Sequence, residues 1–78
     1  MRIGTVVGRV WASKKIDAMP AGALLVVEVE GQGTQVALDL LGCGEGEQVL
    51  LAADHAVAVA TQNKPSAVDL VVVATLDQ

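Results

Sequence analysis

Apolar residues in this chain alternate with polar or small ones in short runs, the period-two pattern of β-strands, and seldom recur at helical spacing. The first run is Arg2 to Ala12, with Ile3, Thr5, Val7, Arg9 and Trp11 on the odd face and Gly4, Val6, Gly8, Val10 and Ala12 on the even one. Neither face is cleanly polar, so the pattern predicts a strand covered on both sides. Gly4 and Gly8 within it mark bends or close backbone approach, as a small, strongly curved barrel requires. Ser13 to Gly22, with Lys14, Lys15, Asp17 and Pro20, reads as an exposed loop. A second strand runs from Leu24 to Glu30, with Leu25, Val27 and Val29 on one face and Glu28 and Glu30 on the other. Gly31-Gln32-Gly33 is a hairpin turn, and Thr34 to Leu40 pairs back as the third strand. Glu47 to Ala52 forms a fourth strand and Ala67 to Leu76 a fifth.

The segment Ala53 to Ala60 fits two patterns. Its alanines and a capping Asp54 favour a short helix, whereas His55, Val57 and Val59 alternate as strand residues would; the helix is the preferred reading. Thr61-Gln62-Asn63-Lys64-Pro65-Ser66 follows as a polar loop. Five short strands, little helix and regularly spaced turn residues point to an all-β barrel or sandwich. No internal repeat or linker divides the chain, so residues 1–78 form one domain.

Between the third and fourth strands lies Gly42-Cys43-Gly44-Glu45-Gly46-Glu47, where three glycines alternate with small or acidic residues. Such density marks positive φ or close backbone approach. A phosphate cradle fails on chemistry: no Lys or Ser/Thr follows, the spacing is not that of a dinucleotide fingerprint, and the two glutamates repel anions. A tight strand connection remains.

Composition then changes the picture. A lone domain of 78 residues buries only about 60% of its unfolded surface and is marginal without a supplement. One cysteine excludes disulfides, and Cys43 and His55 stand apart without zinc spacing. Yet 53% of the residues are apolar, more than so small a core hides, and self-association covers such an excess. A net charge of −4 with one aromatic residue supplies neither the basic patch nor the stacking platform of a nucleic-acid binder. No segment approaches the roughly 18 consecutive apolar residues of a membrane span. Arg9 interrupts what would be a signal-peptide core, and the single thiol suits a reducing, cytoplasmic setting.

Few residues suggest chemistry. Cys43 has no neighbouring base and reads as a small buried or junction-facing residue. His55 beside Asp54 is a capping or solvent-facing pair, since sequence neighbours point different ways. Trp11 is core filler or interface anchor. Asp39 and Asp69, within strands, need partners such as backbone amides or Arg9 if buried. Lys14 and Lys15 form a solvated loop or a docking point. A catalytic site and a cofactor site are both absent from this reading.

Three blocks resemble one family. Met1-Arg2-Ile3-Gly4-Thr5-Val6-Val7-Gly8-Arg9-Val10-Trp11-Ala12-Ser13-Lys14-Lys15 is similar to the opening of the carboxysome and ethanolamine-utilisation type vertex proteins of bacterial microcompartments. Val36-Ala37-Leu38-Asp39-Leu40-Leu41-Gly42-Cys43-Gly44-Glu45-Gly46-Glu47-Gln48-Val49-Leu50 resembles their second block, an Asp followed by a Gly-x-Gly-x-Gly-Glu turn, and Pro65 through Asp77 looks like their closing strand. Where many members carry Gly-Ser-Ser-Ala-Arg, this chain has Ala53-Asp54-His55-Ala56-Val57, so roles of that arginine and those serines do not carry over. The resemblance implies a five-stranded OB-like barrel assembled as a cyclic homopentamer, capping five-fold vertices of an icosahedral shell beside hexagonal tiles of another fold. It implies a structural protein of the cytoplasm with no enzyme activity, cofactor, metal, nucleic-acid or membrane partner. Gly4, Gly8, Trp11, Gly42, Cys43, Gly44, Glu45 and Gly46 are its candidate interface or pore residues, and Lys14 and Lys15 its candidate shell-docking residues. The competing reading is an OB-like module holding a small ligand or oligomer, against which the missing aromatic and basic surface counts.

Overall fold

The computed structural model describes residues 1–11, 13–19, 22–63 and 67–77. Ala12, Pro20 and Lys64-Pro65-Ser66, named above, lie outside the described residues. The elements are β1 (Arg2–Val10), β2 (Ala23–Val29), β3 (Gly33–Asp39), β4 (Gln48–Ala53), α1 (His55–Ala60) and β5 (Leu70–Leu76). The strands close into a barrel in the order β1-β2-β3-β5-β4, with β4 pairing back onto β1. This is an OB-like barrel. Its seam is the junction of β3 with β5, which are parallel and in register only at Leu38 and Val71.

Alternation along the strands fills the interior. Val6, Leu25, Val27, Val49 and Leu51 lie in one buried cluster, with Ala37, Leu70, Val72 and Cys43 closing it. Gly4 pairs with Val29 on one side and Val49 on the other. A Cβ there would strike Val27 and lie 3.2 Å from Leu51 Cδ1 and 3.1 Å from the Glu28 carbonyl oxygen. The expected close approach at Gly4 is therefore between strands of one chain, where the curved sheet leaves no room for a side chain.

The helix reading of 53–60 holds in a shortened form. α1 buries Val57 against Leu38 and Val71 on the outside of the β3–β5 seam, forming a second small core flanked by Leu24, Ala56, Ala60 and Val68. Asp54 does not cap it through its side chain, contrary to expectation. At φ 55°, ψ −109°, its carbonyl accepts from the Val57 and Ala58 amides at 3.0 and 3.3 Å, and the carboxylate makes no capping bond. At the other end, the Thr61 hydroxyl donates to the Val57 carbonyl at 2.8 Å.

Three further expectations are corrected. β1 is not covered on both faces within the chain: Ile3 is 50% exposed and Val7 41%. Its alternation is also interrupted, because the register passes from Val6↔Val27 to Gly8↔Val26 and leaves Val7 as the extra residue of a bulge. Beyond the bulge, Arg9 stands opposite the inward residue Leu25, so it does not continue the row of Ile3, Thr5 and Val7. Asp69 precedes β5 and is exposed, so it is not a buried strand carboxylate.

Candidate functional site

The connection from β3 to β4 is shaped by one carboxylate. Asp39 ends β3 on the inward row and is 3% exposed. Its Oδ1 accepts the Leu41 amide at 2.9 Å, and its Oδ2 accepts the amides of Gly42 at 3.1 Å and Cys43 at 2.7 Å. A single anion thus takes three consecutive N–H groups that no strand ladder satisfies. Gly42 and Gly46 have φ of 85° and 90°, which L-residues with side chains rarely adopt. The Gly44 amide donates to Glu47 Oε1 at 2.7 Å, and the loop is strapped to β1 by Gly46 N–H to Val6 carbonyl (2.8 Å) and Val6 N–H to Glu47 carbonyl (2.9 Å). The amides of Leu41 through Gly44 therefore point at the protein's own acids, and those of Gly46 and Glu47 at backbone carbonyls. They offer nothing to a phosphate.

Cys43 turns inward and is 4% exposed. Burial above all, then the charge of Asp39 and its hydrogen bond with the thiol, then Glu47, push its pKa from 9.0 up to about 11. A nucleophilic cysteine needs the opposite environment, one that favours thiolate. His55 and Asp54 are exposed, as a solvent-facing pair. No group of three or more His, Cys, Asp and Glu that could hold a metal exists among the described residues.

The structure does expose apolar surface. Trp11 is 84% exposed, which removes the core-filler reading, and the Arg9 guanidinium lies over its ring at 5.6 Å from the centroid. Lys14 and Lys15 are exposed in the loop that follows. Leu40 and Leu41, flanking the glycine loop, are 51% and 57% exposed. Among the described residues, three partly open clefts adjoin β1. One of ≈ 380 Å³ lies among Ile3, Thr5, Val7, Glu28, Glu30 and Gln48. A second, of ≈ 220 Å³, lies between the glycine loop and Gly8 and Arg9, and a third, of ≈ 300 Å³, lies beside Trp11 and Lys15.

Of the candidate residues, Gly8, Cys43, Gly44 and Glu45 thus meet at one end of the barrel, where Arg9 joins them and Trp11 adjoins through Arg9. Gly4 sits apart, inside the barrel. Glu28 and Glu30, which the sequence places only on one face of the second strand, line the cleft beside Ile3 and Val7.

A small closed barrel with apolar outer patches and its polar groups spent on its own loops is a self-associating structural subunit. The chain belongs to the ethanolamine utilisation protein EutN/carboxysome family, whose model matches residues 1–77. It is 31% identical to the bacterial microcompartment shell vertex protein EutN of Salmonella typhimurium, covering 100% of this chain and 85% of that protein. It is 30% identical to the shell vertex protein GrpN of Rhodospirillum rubrum, over 99% of this chain and 93% of the other. Among solved structures, the pentameric shell protein of the RMM microcompartment superposes with a TM-score of 0.88 at 39% identity, over 100% of this chain and 92% of that one. CcmL of Nostoc sp. PCC 7120 does so at 0.85 and 32%, covering 100% and 90%.

Proposed function

We propose that this chain is the vertex subunit of a bacterial microcompartment shell: a homopentamer that closes the five-fold corners of the shell within the cytoplasm. It is a structural protein and not an enzyme. The observation that carries the reading is the full-length match to pentameric shell proteins, joined to apolar residues left outside a complete core. Five copies of a chain carrying −4 bring about −20 formal charge together, a repulsion screened over about 8 Å at physiological salt and opposed by apolar contact.

Within this reading, the glycine loop from Gly42 to Gly46 and Gly8 lie at the subunit junction, where small residues let neighbouring backbones approach around the central axis. Lys14 and Lys15 face outward to the hexagonal tiles that surround the pentamer. Native mass spectrometry of the purified protein tests the first step: a stable mass of five chains supports the vertex role, and a monomer or dimer at every concentration sinks it. Co-expression with hexagonal shell proteins tests the second. Charge reversal of both lysines is expected to abolish shell closure while the pentamer persists; normal closure removes the docking assignment.

A further inference from the structure

We infer that neighbouring copies join by seating the Arg9–Trp11 pair of one subunit in the acidic cleft beside β1 of the next. The inference rests on the pentamer reading and says which two faces meet. The cleft is floored by Ile3, Thr5 and Val7 and rimmed by Glu28 and Glu30. Glu28 stands opposite Thr5 in the β1–β2 register, and the Glu30 amide donates to the Ile3 carbonyl at 3.4 Å, which sets both acids along one side of the apolar floor. Ile3 and Val7 are exposed there within a single subunit, although an apolar strand face calls for cover.

At the other end of β1 stands the complement. Trp11 is 84% exposed, and the Arg9 guanidinium holds against its ring at 5.6 Å. Among the described residues, Arg9, Glu28 and Glu30 form no ion pair within the chain. An acidic chain gains from matching two exposed carboxylates to a cation when its copies are brought together. The chemistry fits in detail: the guanidinium fork suits carboxylates, and the indole supplies a flat apolar face for an aliphatic floor. Trp and Arg are also the residue types that dominate the centres of interfaces. Leu40 and Leu41 are exposed as well, yet they lack an oppositely charged counterpart.

Ring closure requires two different patches facing different ways. The bulge at Val7 provides this on a single strand. It takes Arg9 off the outward row that carries Ile3, Thr5 and Val7 and sets it opposite Leu25. Donor and acceptor are therefore different patches of one chain, as head-to-tail contact demands.

A charge exchange read by native mass spectrometry tests the pairing, with circular dichroism to confirm the fold. The wild type is expected at the mass of five chains. Arg9→Glu alone, and Glu28→Arg with Glu30→Arg, should each lose that mass at micromolar concentration, a weakening of at least about 100-fold. The triple variant, with the charges exchanged across the contact, should recover it. Persistence of the pentamer in either reversal, or no recovery in the triple variant, overturns the pairing. Should a reversal fail to fold, Trp11→Ala and Arg9→Gln change only exposed side chains and carry the same test; unchanged assembly in both overturns it. A wild type that never reaches five chains overturns the pentamer reading itself, and the pairing with it.

Discussion

Removing the Asp39 carboxylate should unfasten the glycine loop, and the cost can be worked from its three hydrogen bonds. In Asp39→Ala the Cys43 amide, at a residue 4% exposed, is left without an acceptor; an orphaned buried donor costs about 1–3 kcal/mol. Leu41 and Gly42 are exposed, so water can replace the carboxylate at their amides, for about 0.5–1 kcal/mol each. The total is about 2–5 kcal/mol per chain. Asp39→Asn should be milder. Its carbonyl oxygen can take the place of Oδ2 and keep the Gly42 and Cys43 bonds, while its NH2 group faces the Leu41 amide, for about 1–2 kcal/mol. Urea unfolding followed by far-ultraviolet circular dichroism reads both, at one fixed protein concentration because assembly adds to apparent stability. A loss below about 1 kcal/mol in Asp39→Ala would refute the view that this acceptor organises the loop, and an Asn variant as damaged as the Ala variant would refute the argument that a neutral oxygen keeps the Gly42 and Cys43 bonds.

Three other perturbations follow from single residues. Gly4→Ala places a methyl group into Val27 and close to Leu51, and should lower stability by about 1–3 kcal/mol through overpacking, measured by thermal unfolding. The Cys43 thiol, held up at about 11 against an ordinary 9.0, should resist alkylation at pH 8 in the folded protein. Its contribution to stability is complete below pH 9 and is lost as pH rises through 11; Cys43→Ser should flatten that part of the stability–pH curve, and an unchanged curve would count against the burial argument. Asp54→Gly should raise stability by up to about 1 kcal/mol, because φ 55°, ψ −109° strains a residue with a side chain and the carboxylate makes no capping bond there; a lower melting temperature would contradict this.

Much of the barrel was legible because the strands are short, rich in Val, Leu and Ala, and separated by segments of glycine and polar residues. β2 illustrates this: Leu25, Val27 and Val29 could face only one way, and all three are buried. What stayed hidden depends on contacts between strands. The bulge at Val7 cannot be read from β1 alone, since it is defined by where Val26 and Val27 fall on the neighbouring strand. The two acids Asp39 and Asp69 look alike in sequence, each beside an apolar residue. Only Asp39 is followed by a segment with glycines at positive φ that can fold its amides back onto the carboxylate. Asp69 falls short of β5 by one residue and stays in solvent. The cap expected of Asp54 failed for a related reason, as its backbone dihedrals direct the carbonyl, and not the side chain, toward the helix amides.

The arrangement of apolar residues explains why such a fold should associate. Inside the barrel the side chains are nearly all Val, Leu and Ala, and Gly4 takes a position that a larger residue would need to fill if the interior were wider. The interior is complete and cannot grow. Additional stabilisation has to come from outside, where Ile3, Val7, Trp11, Leu40, Leu41 and Val59 remain uncovered in one chain. Nonspecific association would serve burial equally well, but it would not limit the number of copies. In the pairing inferred above, charge favours the head-to-tail contact: Glu28 and Glu30 beside one apolar patch repel a second copy of the same patch, while Arg9 beside Trp11 accepts it. A face that rejects itself and fits a different face of the same chain favours head-to-tail contact over a self-complementary two-fold dimer, and such contact makes a ring where its rotation closes.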